Sequence, residues 1–227
     1  DKFNKYKRRG MRLGTGEFTD SLALDHITGF SIEIVNFFRK HLDTIFEFKT
    51  KSATIENIIK LKPSSNIVVS WSISPQRIID ENEYYSASLT ERINAAVRCI
   101  RAGYRVGFHF DPVIYYPYWQ DDYTELVEIL FDKVKPCHIA WVSIGTLRFS
   151  PELKPIIEKR FPKNKILDEE LLLGFDNKLH YVYPVRYNIY RFMIDILHKH
   201  SKKIKIYLCM EEPKMWQDLK LTMPVFA

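Results

Sequence analysis

The sequence predicts an α/β protein built as a partial barrel of parallel strands joined by helices. Short strand-like runs alternate along the chain with segments whose apolar residues recur at helical spacing. Such alternation is typical of parallel strands connected by crossover helices. Most of the strands are also apolar on one face only. This pattern favours a barrel with a polar interior over an open sheet that helices cover on both faces.

Six runs have the length and composition of strands. They carry aromatic and β-branched residues, and helical segments or turns separate them. The strand-like runs are MRLGTGE (11–17), FEFKTK (46–51), NIVVSWSIS (66–74), RVGFHFDPV (105–113), HIAWVSIGTL (138–147) and KIYLCME (205–211).

Alternation of side chains gives these strands an apolar face and a polar face. In the run 105–113, Val106 and Phe108 lie on the apolar face, whereas His109 and Asp111 lie on the polar face. Ionisable groups gather towards the C-terminal ends, where barrel enzymes place their sites. Such groups would be costly in a dry core, so we expect a cavity that holds a polar ligand. The polar-face residues are Glu47, Lys49, Lys51, Ser70, Ser72, Ser74, Gly107, His109, Asp111, Tyr207, Cys209 and Glu211.

Five segments between the strands are predicted to be helices. The first is expected to begin at Asp20 or Ser21, with Asp20 as its N-cap. Gly103 suits the C-terminus of the second helix, and Ser150 with Pro151 suits the N-terminus of the fourth. The segments are 20–38 (apolar at Leu22, Ile27, Ile34, Val35, Phe37 and Phe38), 89–103, 121–134, 150–161 and 186–200.

The end of the first strand is the most informative segment for function. Gly14 and Gly16 precede a helix, so a ligand can approach the backbone closely and meet free amides. Glu17 adds a carboxylate that could hold an ammonium group. A tight strand-to-helix turn explains the glycines equally well, and GTGE matches no dinucleotide or P-loop motif.

Composition narrows the classes of protein and partner. The chain has 227 residues, a net charge of +6 and 46% hydrophobic residues, which fits a globular protein and favours anionic partners such as nucleic acid. No apolar run approaches the length of a membrane span. The three cysteines, Cys99, Cys137 and Cys209, have no metal-site spacing and are expected to be reduced thiols of a cytoplasmic protein.

The segments RLGTGEFTDSLALDH, FEFKTKS, VVSWSIS, ERINAAVRCIRAGYRVGFHFDPVI and LRFSPELKPIIEKRFP occur in an order and spacing that resemble the spore photoproduct lyase family. These are radical S-adenosylmethionine (SAM) enzymes. The similarity runs from about Arg12 to about Pro162, with a weaker tail. The resemblance rests on the ordered set of segments rather than on any single motif.

The resemblance implies a partial (β/α)6-type TIM barrel that binds SAM at a [4Fe-4S] cluster. Such enzymes form a 5′-deoxyadenosyl radical that abstracts hydrogen from a substrate, here DNA or a nucleotide-like molecule. GTGE resembles the motif that contacts the methionine amino group of SAM. The cofactor-binding residues implied are Gly14, Gly16, Glu17, Lys51, Ser72 and Asp111.

Two departures from the family pattern matter. The CxxxCxxC motif that binds the cluster is absent from these residues, so the chain is expected to be a single, N-terminally truncated domain over residues 1–227. The hydrogen-donor cysteine of the lyase aligns with Glu17. Cys209 is a substitute candidate on the last strand, although a buried structural thiol is the commoner role.

Two other functions are compatible with the sequence. A barrel hydrolase would use the strand-end carboxylates Glu17, Asp111 and Glu211 as an acid and base pair. A non-catalytic nucleic-acid-binding module would have a contiguous basic face and a barrel interior filled by side chains. A closed eight-stranded barrel within these residues would exclude the radical SAM assignment. The sequence does not predict the oligomeric state.

Overall fold

Six parallel strands form the central sheet of the protein, in the order β1-β2-β3-β4-β5-β9. The computed structural model describes residues 11–16 and 19–222. Within those residues the sheet remains open, with β1 and β9 at its edges, so the predicted partial barrel is confirmed. The strands of this sheet are β1 (Met11–Thr15), β2 (Thr44–Thr50), β3 (Ile67–Ser72), β4 (Arg105–Val113), β5 (Ile139–Thr146) and β9 (Ile206–Leu208).

Helices follow the strands, and the longer ones pack on the apolar face of the sheet. The register places Trp71, Phe108, Val142 and Ile206 in one row of neighbouring residues, and all four are buried. The predicted apolar face is therefore the helix-packed core. The helices are α1 (Asp25–Thr28), α2 (Phe30–Phe38), α3 (Glu56–Lys60), α4 (Gln76–Asn82), α5 (Leu89–Arg101), α6 (Trp119–Lys133), α7 (Leu153–Arg160), α8 (Tyr183–His200) and α9 (Pro213–Asp218).

The opposite face of the sheet carries the predicted polar residues. Ser72 on β3 pairs with His109 on β4, which pairs with Ser143 on β5, which in turn pairs with Tyr207 on β9. This row crosses the inner face of the half-barrel, because it alternates with the apolar row along each strand. The prediction of a polar interior is confirmed.

The first predicted helix is interrupted in the structure. Gly29 adopts a φ of +61°, in the left-handed region, and separates α1 from α2. Only Asp25–Thr28 and Phe30–Phe38 are helical, so the predicted start at residue 20 or 21 was wrong. Ile27 is 74% exposed because the break turns it away from the core.

The fourth predicted helix begins later than expected. α7 starts at Leu153, and its N-cap is Glu152 rather than Ser150. Residues 148–149 instead form β6, a strand that directly follows β5. None of the side chains of α7 is buried, so core packing does not explain its sequence. By contrast, α5 ends as predicted, with Gly103 at a φ of +96°.

A small antiparallel sheet, which the sequence did not predict, covers the mouth of the half-barrel. Its order is β6-β8-β7, with β6 at Arg148–Phe149, β7 at Leu171–Leu173 and β8 at Leu179–Tyr181. Strands of two or three residues are too short to show a period of two. None of the described helices is long and apolar enough to cross a membrane.

Asn66 fixes the connection between α2 and β2. Its buried side-chain amide donates to the backbone carbonyls of Phe38, His41 and Thr44 at 2.9, 3.1 and 2.8 Å. Ser64 donates to its amide oxygen at 2.6 Å. One side chain therefore replaces the hydrogen bonds that this turn cannot make within itself.

We predict that Asn66→Ala lowers the free energy of unfolding by about 2–4 kcal/mol, because three backbone carbonyls lose their donor. Urea unfolding followed by circular dichroism measures this change. Asn94→Ala, at an exposed position of α5, is the matched control and should change the free energy by less than about 0.5 kcal/mol. Equal effects of the two substitutions would contradict the role of Asn66.

Candidate functional site

A polar cavity of about 680 Å³ opens on the inner face of the half-barrel. It lies at the C-terminal ends of the strands, where the alternation of faces predicts ionisable groups. The residues that line it are Arg12, Gly14, Thr15, Glu47, Lys49, His109, Asp111, Pro112, Thr146, Arg148, Lys178, Tyr207, Cys209 and Met210. We call this space the barrel cavity.

Glu47 forms the floor of the barrel cavity and is almost completely buried. Its carboxylate accepts hydrogen bonds from Arg12 at 2.6 Å, His109 Nε2 at 2.8 Å and Trp141 Nε1 at 3.1 Å. The hydroxyl of Ser70 donates to the same carboxylate. Donors from four different strands therefore converge on one buried charge, as a buried carboxylate requires.

The surroundings of Glu47 keep it ionised. Burial by itself raises the pKa of Glu47, but His109, Arg12 and the Ser70 hydroxyl together outweigh it and hold that pKa well below its ordinary value. His109 is 3% exposed, and its Nδ1 has no partner among the described residues.

Two aromatic rings hold the guanidinium of Arg12 in place. Its central carbon lies 4.3 Å from the ring centroid of Trp141 and 4.9 Å from that of Tyr207. It also donates to the Tyr207 hydroxyl at 2.7 Å. Arg12 thus links β1 to β5 and β9, strands that are otherwise separated across the sheet.

A second cluster of charges surrounds Asp111 nearer the mouth of the barrel cavity. Arg148 donates to Asp111 at 3.1 Å, and Lys49 Nζ lies 3.9 Å from the other carboxylate oxygen. Arg148 also donates to the sulfur of Cys209 at 3.4 Å. Gly145 makes the arrangement possible, because a Cβ there would collide with the Asp111 carboxylate.

The pKa values of Asp111 and Cys209 shift in opposite directions. Burial by itself raises the pKa of Asp111. The cations of Arg148 and Lys49 lower that pKa by more than burial raises it, so the group stays a carboxylate. Burial and the neighbouring Asp111 carboxylate raise the pKa of the Cys209 thiol to about 11. At neutral pH Cys209 therefore keeps its S–H bond.

A smaller groove of about 360 Å³ adjoins the barrel cavity at the end of β1. Gly16 turns the chain there with a φ of +94°, and a Cβ on it would collide with the carbonyl oxygen of Lys49. Lys49 lines both spaces. The groove is lined by Gly16, Thr19, Asp20, Lys49, Thr50, Lys51 and Ser72, and we call it the glycine groove.

Asp20 organises one wall of the glycine groove. Its carboxylate accepts from the backbone amides of Leu22, Ala23 and Lys51 and from the Thr50 hydroxyl, at distances of 2.6–2.9 Å. Asp20 therefore caps the turn before α1 and ties it to β2. The prediction that Asp20 caps a helix was wrong, since the helix begins five residues later.

Buried Arg92 of α5 supports the other wall. Its guanidinium donates to the carbonyl of Ser72 at 2.9 Å and to Glu83 at 2.6 Å. The same Glu83 carboxylate pairs with Lys51 at 2.8 Å. Arg92 thus positions both Ser72 and, through Glu83, Lys51.

The structure divides the predicted cofactor residues between the two spaces. Gly16, Lys51 and Ser72 line the glycine groove, whereas Gly14 and Asp111 line the barrel cavity. Glu17 lies outside the described residues. Cys209 joins Asp111 rather than the groove. Four residues that build the two spaces or their walls, Arg12, Glu47, Arg92 and Arg148, were not among the predicted site residues. For Glu47 the only signal was its place on a polar strand face.

The two alternative functions find no support in this geometry. Asp111 has a lowered pKa, unsuited to a general acid, and Glu211 pairs with Arg186 at 3.2 Å rather than lining the barrel cavity. A binding module with a filled interior does not fit a cavity of 680 Å³.

The described residues do not fit an iron–sulfur cluster. They contain no group of three or more His, Cys, Asp or Glu side chains suited to a metal. Cys99 is buried in α5, Cys137 is exposed before β5, and Cys209 lies in the barrel cavity.

Comparison with known proteins gives a consistent result. Residues 4–211 match the family model described as spore photoproduct lyase. The spore photoproduct lyase of Clostridium acetobutylicum is 29% identical over 153 residues, and that of Bacillus subtilis is 30% identical over 156 residues. Each match covers 67% of this chain and 45% of the relative, so the chain spans about half the length of these relatives.

Several solved structures have the same fold as this chain. A spore photoproduct lyase double mutant with bound AdoMet and dinucleoside spore photoproduct matches with a TM-score of 0.82 at 20% sequence identity. A spore photoproduct lyase complexed with dinucleoside spore photoproduct matches equally well. Both matches cover 92% of this chain and 64% of the other. Since the family model spans nearly the whole sequence, the chain belongs to the spore photoproduct lyase family.

Proposed function

We propose that this chain forms the SAM-binding and substrate-binding body of a radical SAM enzyme that acts on DNA or a nucleotide-like substrate. One observation carries the proposal. The Gly16 turn opens a groove that continues, through Lys49, into a charged cavity at the strand C-terminal ends. A cofactor and its substrate would therefore lie side by side, as hydrogen abstraction requires.

The glycine groove suits SAM. Gly16 leaves the backbone accessible, Lys51 offers a cation to a carboxylate, and Ser72 offers a hydroxyl. In a parent protein that holds a [4Fe-4S] cluster, SAM bound there would supply a 5′-deoxyadenosyl radical. Because the cluster ligands are absent from this sequence, the cluster is expected only in a longer parent protein.

The barrel cavity suits an anionic substrate. Its lining includes four cations, Arg12, Lys49, Arg148 and Lys178, against the carboxylates of Glu47 and Asp111. Solved relatives hold dinucleoside spore photoproduct, a lesion-like molecule of the class that the family resemblance implies. A nucleotide with its phosphate is the substrate class that this balance of charge favours.

Cys209 is our candidate for the hydrogen donor, because its thiol lines the barrel cavity and retains its proton. Glu17, at the aligned donor position, has no S–H bond to give. That residues 1–227 form one truncated domain, and that the protein is cytoplasmic, remain predictions.

We predict that Gly16→Ala weakens SAM binding at least about tenfold, because the new methyl group displaces the Lys49 carbonyl and narrows the groove. Isothermal titration calorimetry of the 227-residue chain measures the affinity. Ser72→Ala, a milder change in the same groove, should also weaken binding.

Gly29→Ala is the matched control for the Gly16 variant. Gly29 also has a positive φ of +61°, but a Cβ there meets only a side-chain methyl at 3.7 Å. Its variant therefore carries backbone strain of the same kind outside the groove. If the Gly16→Ala variant binds SAM as tightly as the Gly29→Ala variant, the groove is not the SAM site.

We predict that Asp111→Asn makes Cys209 react at lower pH. The Asp111 carboxylate helps to raise the pKa of the thiol to about 11, so its removal should move the midpoint of the alkylation rate downward. Iodoacetamide rates across pH, in a Cys137→Ser background, report this midpoint. Asp195→Asn, on the exposed face of α8, should leave the midpoint unchanged. An unchanged midpoint in the Asp111→Asn variant would show that the carboxylate does not raise the pKa of the thiol.

A further inference from the structure

A second cleft, of about 740 Å³, opens beside the barrel cavity. It lies between α4 and the segment 161–166 that connects α7 to β7. We call it the aromatic cleft and define it by Tyr84, Tyr115, Tyr116, Phe161, Lys163 and Lys165. The SAM and substrate sites proposed above make no use of it.

We propose that the aromatic cleft binds an unstacked nucleobase and the phosphates beside it, in the strand whose damaged nucleotide enters the barrel cavity. This inference rests on the proposed function, since it assigns a further contact to the same nucleic-acid partner.

The first argument is the pair of aromatic rings formed by Tyr84 and Phe161. Tyr84 and Phe161 stack with their centroids 6.1 Å apart and their planes 21° apart. Tyr84 is 64% exposed, and neither ring packs on the described hydrophobic core. Exposed aromatic faces bind bases of any sequence, because every base has a π face.

The pair is held in place although it lies outside the core. Asn164 donates to the side-chain oxygen of Asn82 at 2.7 Å, which fastens the segment 161–166 to the end of α4. The amide of Ile166 donates to the Asn164 side chain at 2.9 Å. A preorganised platform loses little entropy when a base stacks on it.

Charge supplies the second argument. Arg77 in the cleft pairs with Glu81 at 3.2 Å, but Lys163 and Lys165 have no acidic partner among the described residues. Lys159 and Arg160 extend this basic surface along α7, a helix that buries no side chain. Lysines next to stacking rings are the usual arrangement for single-stranded nucleic acid.

The position of the cleft is the third argument. Asp111 lines the barrel cavity, and Tyr115, only four positions further along the chain, lines the aromatic cleft. Four residues span at most about 14 Å. One strand of nucleic acid can therefore reach both spaces, and the neighbour of a nucleotide in the cavity would meet Tyr84 and Phe161.

The test uses the 227-residue chain without cofactor and a short single strand of DNA that carries one 2-aminopurine. Fluorescence anisotropy gives the affinity, and quenching of 2-aminopurine reports stacking. Phe161→Ala should weaken binding about fivefold or more and abolish the quenching, whereas Phe161→Tyr should preserve both.

The lysines are tested by salt dependence. Replacing Lys163 and Lys165 with glutamine should reduce the slope of log affinity against log salt concentration by about 1.4. This is the change expected when two phosphate contacts to a single strand are lost. The matched control replaces Lys202 and Lys203 with glutamine and should leave DNA binding unchanged. These two exposed lysines lie before β9, at the opposite end of the sheet.

Three results would overturn the inference. Phe161→Ala could bind and quench like the wild type, the control pair could weaken binding as much as the cleft pair, or the wild-type chain could bind no strand at all. SAM titration of the same protein separates these results from a failure of the proposed function, because SAM binding does not depend on the cleft.

Discussion

The buried carboxylate of Glu47 is the interaction on which the inner face of the half-barrel depends. A charge removed from water at this depth is stable only with several donors around it. Arg12, Ser70, His109 and Trp141 supply them from β1, β3, β4 and β5. Any slip of one strand would withdraw a donor, so the charge fixes the relative positions of the strands whose ends build both proposed sites.

The polar interior has two levels with different roles. Around Glu47 the donors and the acceptor satisfy one another, and two aromatic rings pack against the Arg12 guanidinium. Around Asp111 the cations outnumber the carboxylate, so Lys49 and Arg148 retain capacity for a further anion. The lower level gives rigidity, and the upper level gives affinity for a ligand.

How far the sequence predicts the structure depends on the range of the interactions involved. The alternation of side chains in strands such as 105–113 is local, and it predicted the polar face of the sheet. The alternation of strands with helices along the chain predicted that the strands are parallel. The ion pair between Arg148 and Asp111 joins residues 37 positions apart, and no periodicity reports it. The glycines illustrate the same limit. Gly16 was predicted to let a ligand approach the backbone, whereas the break that Gly29 makes between α1 and α2 was not predicted. Family resemblance, not spacing, directed attention to Lys51 and Ser72.

The position of Lys49 makes the two spaces thermodynamically dependent on each other. Its ammonium group lies 3.9 Å from Asp111 in one space, and the same residue lines the other space. A carboxylate that drew this cation into the glycine groove would leave Asp111 held by Arg148 alone, and the cavity would lose part of its positive potential. By linkage, whatever factor a ligand in the groove imposes on affinity in the cavity, a ligand in the cavity imposes on the groove. Through Lys49, binding in either space would therefore change the affinity of the other, whichever ligand binds first.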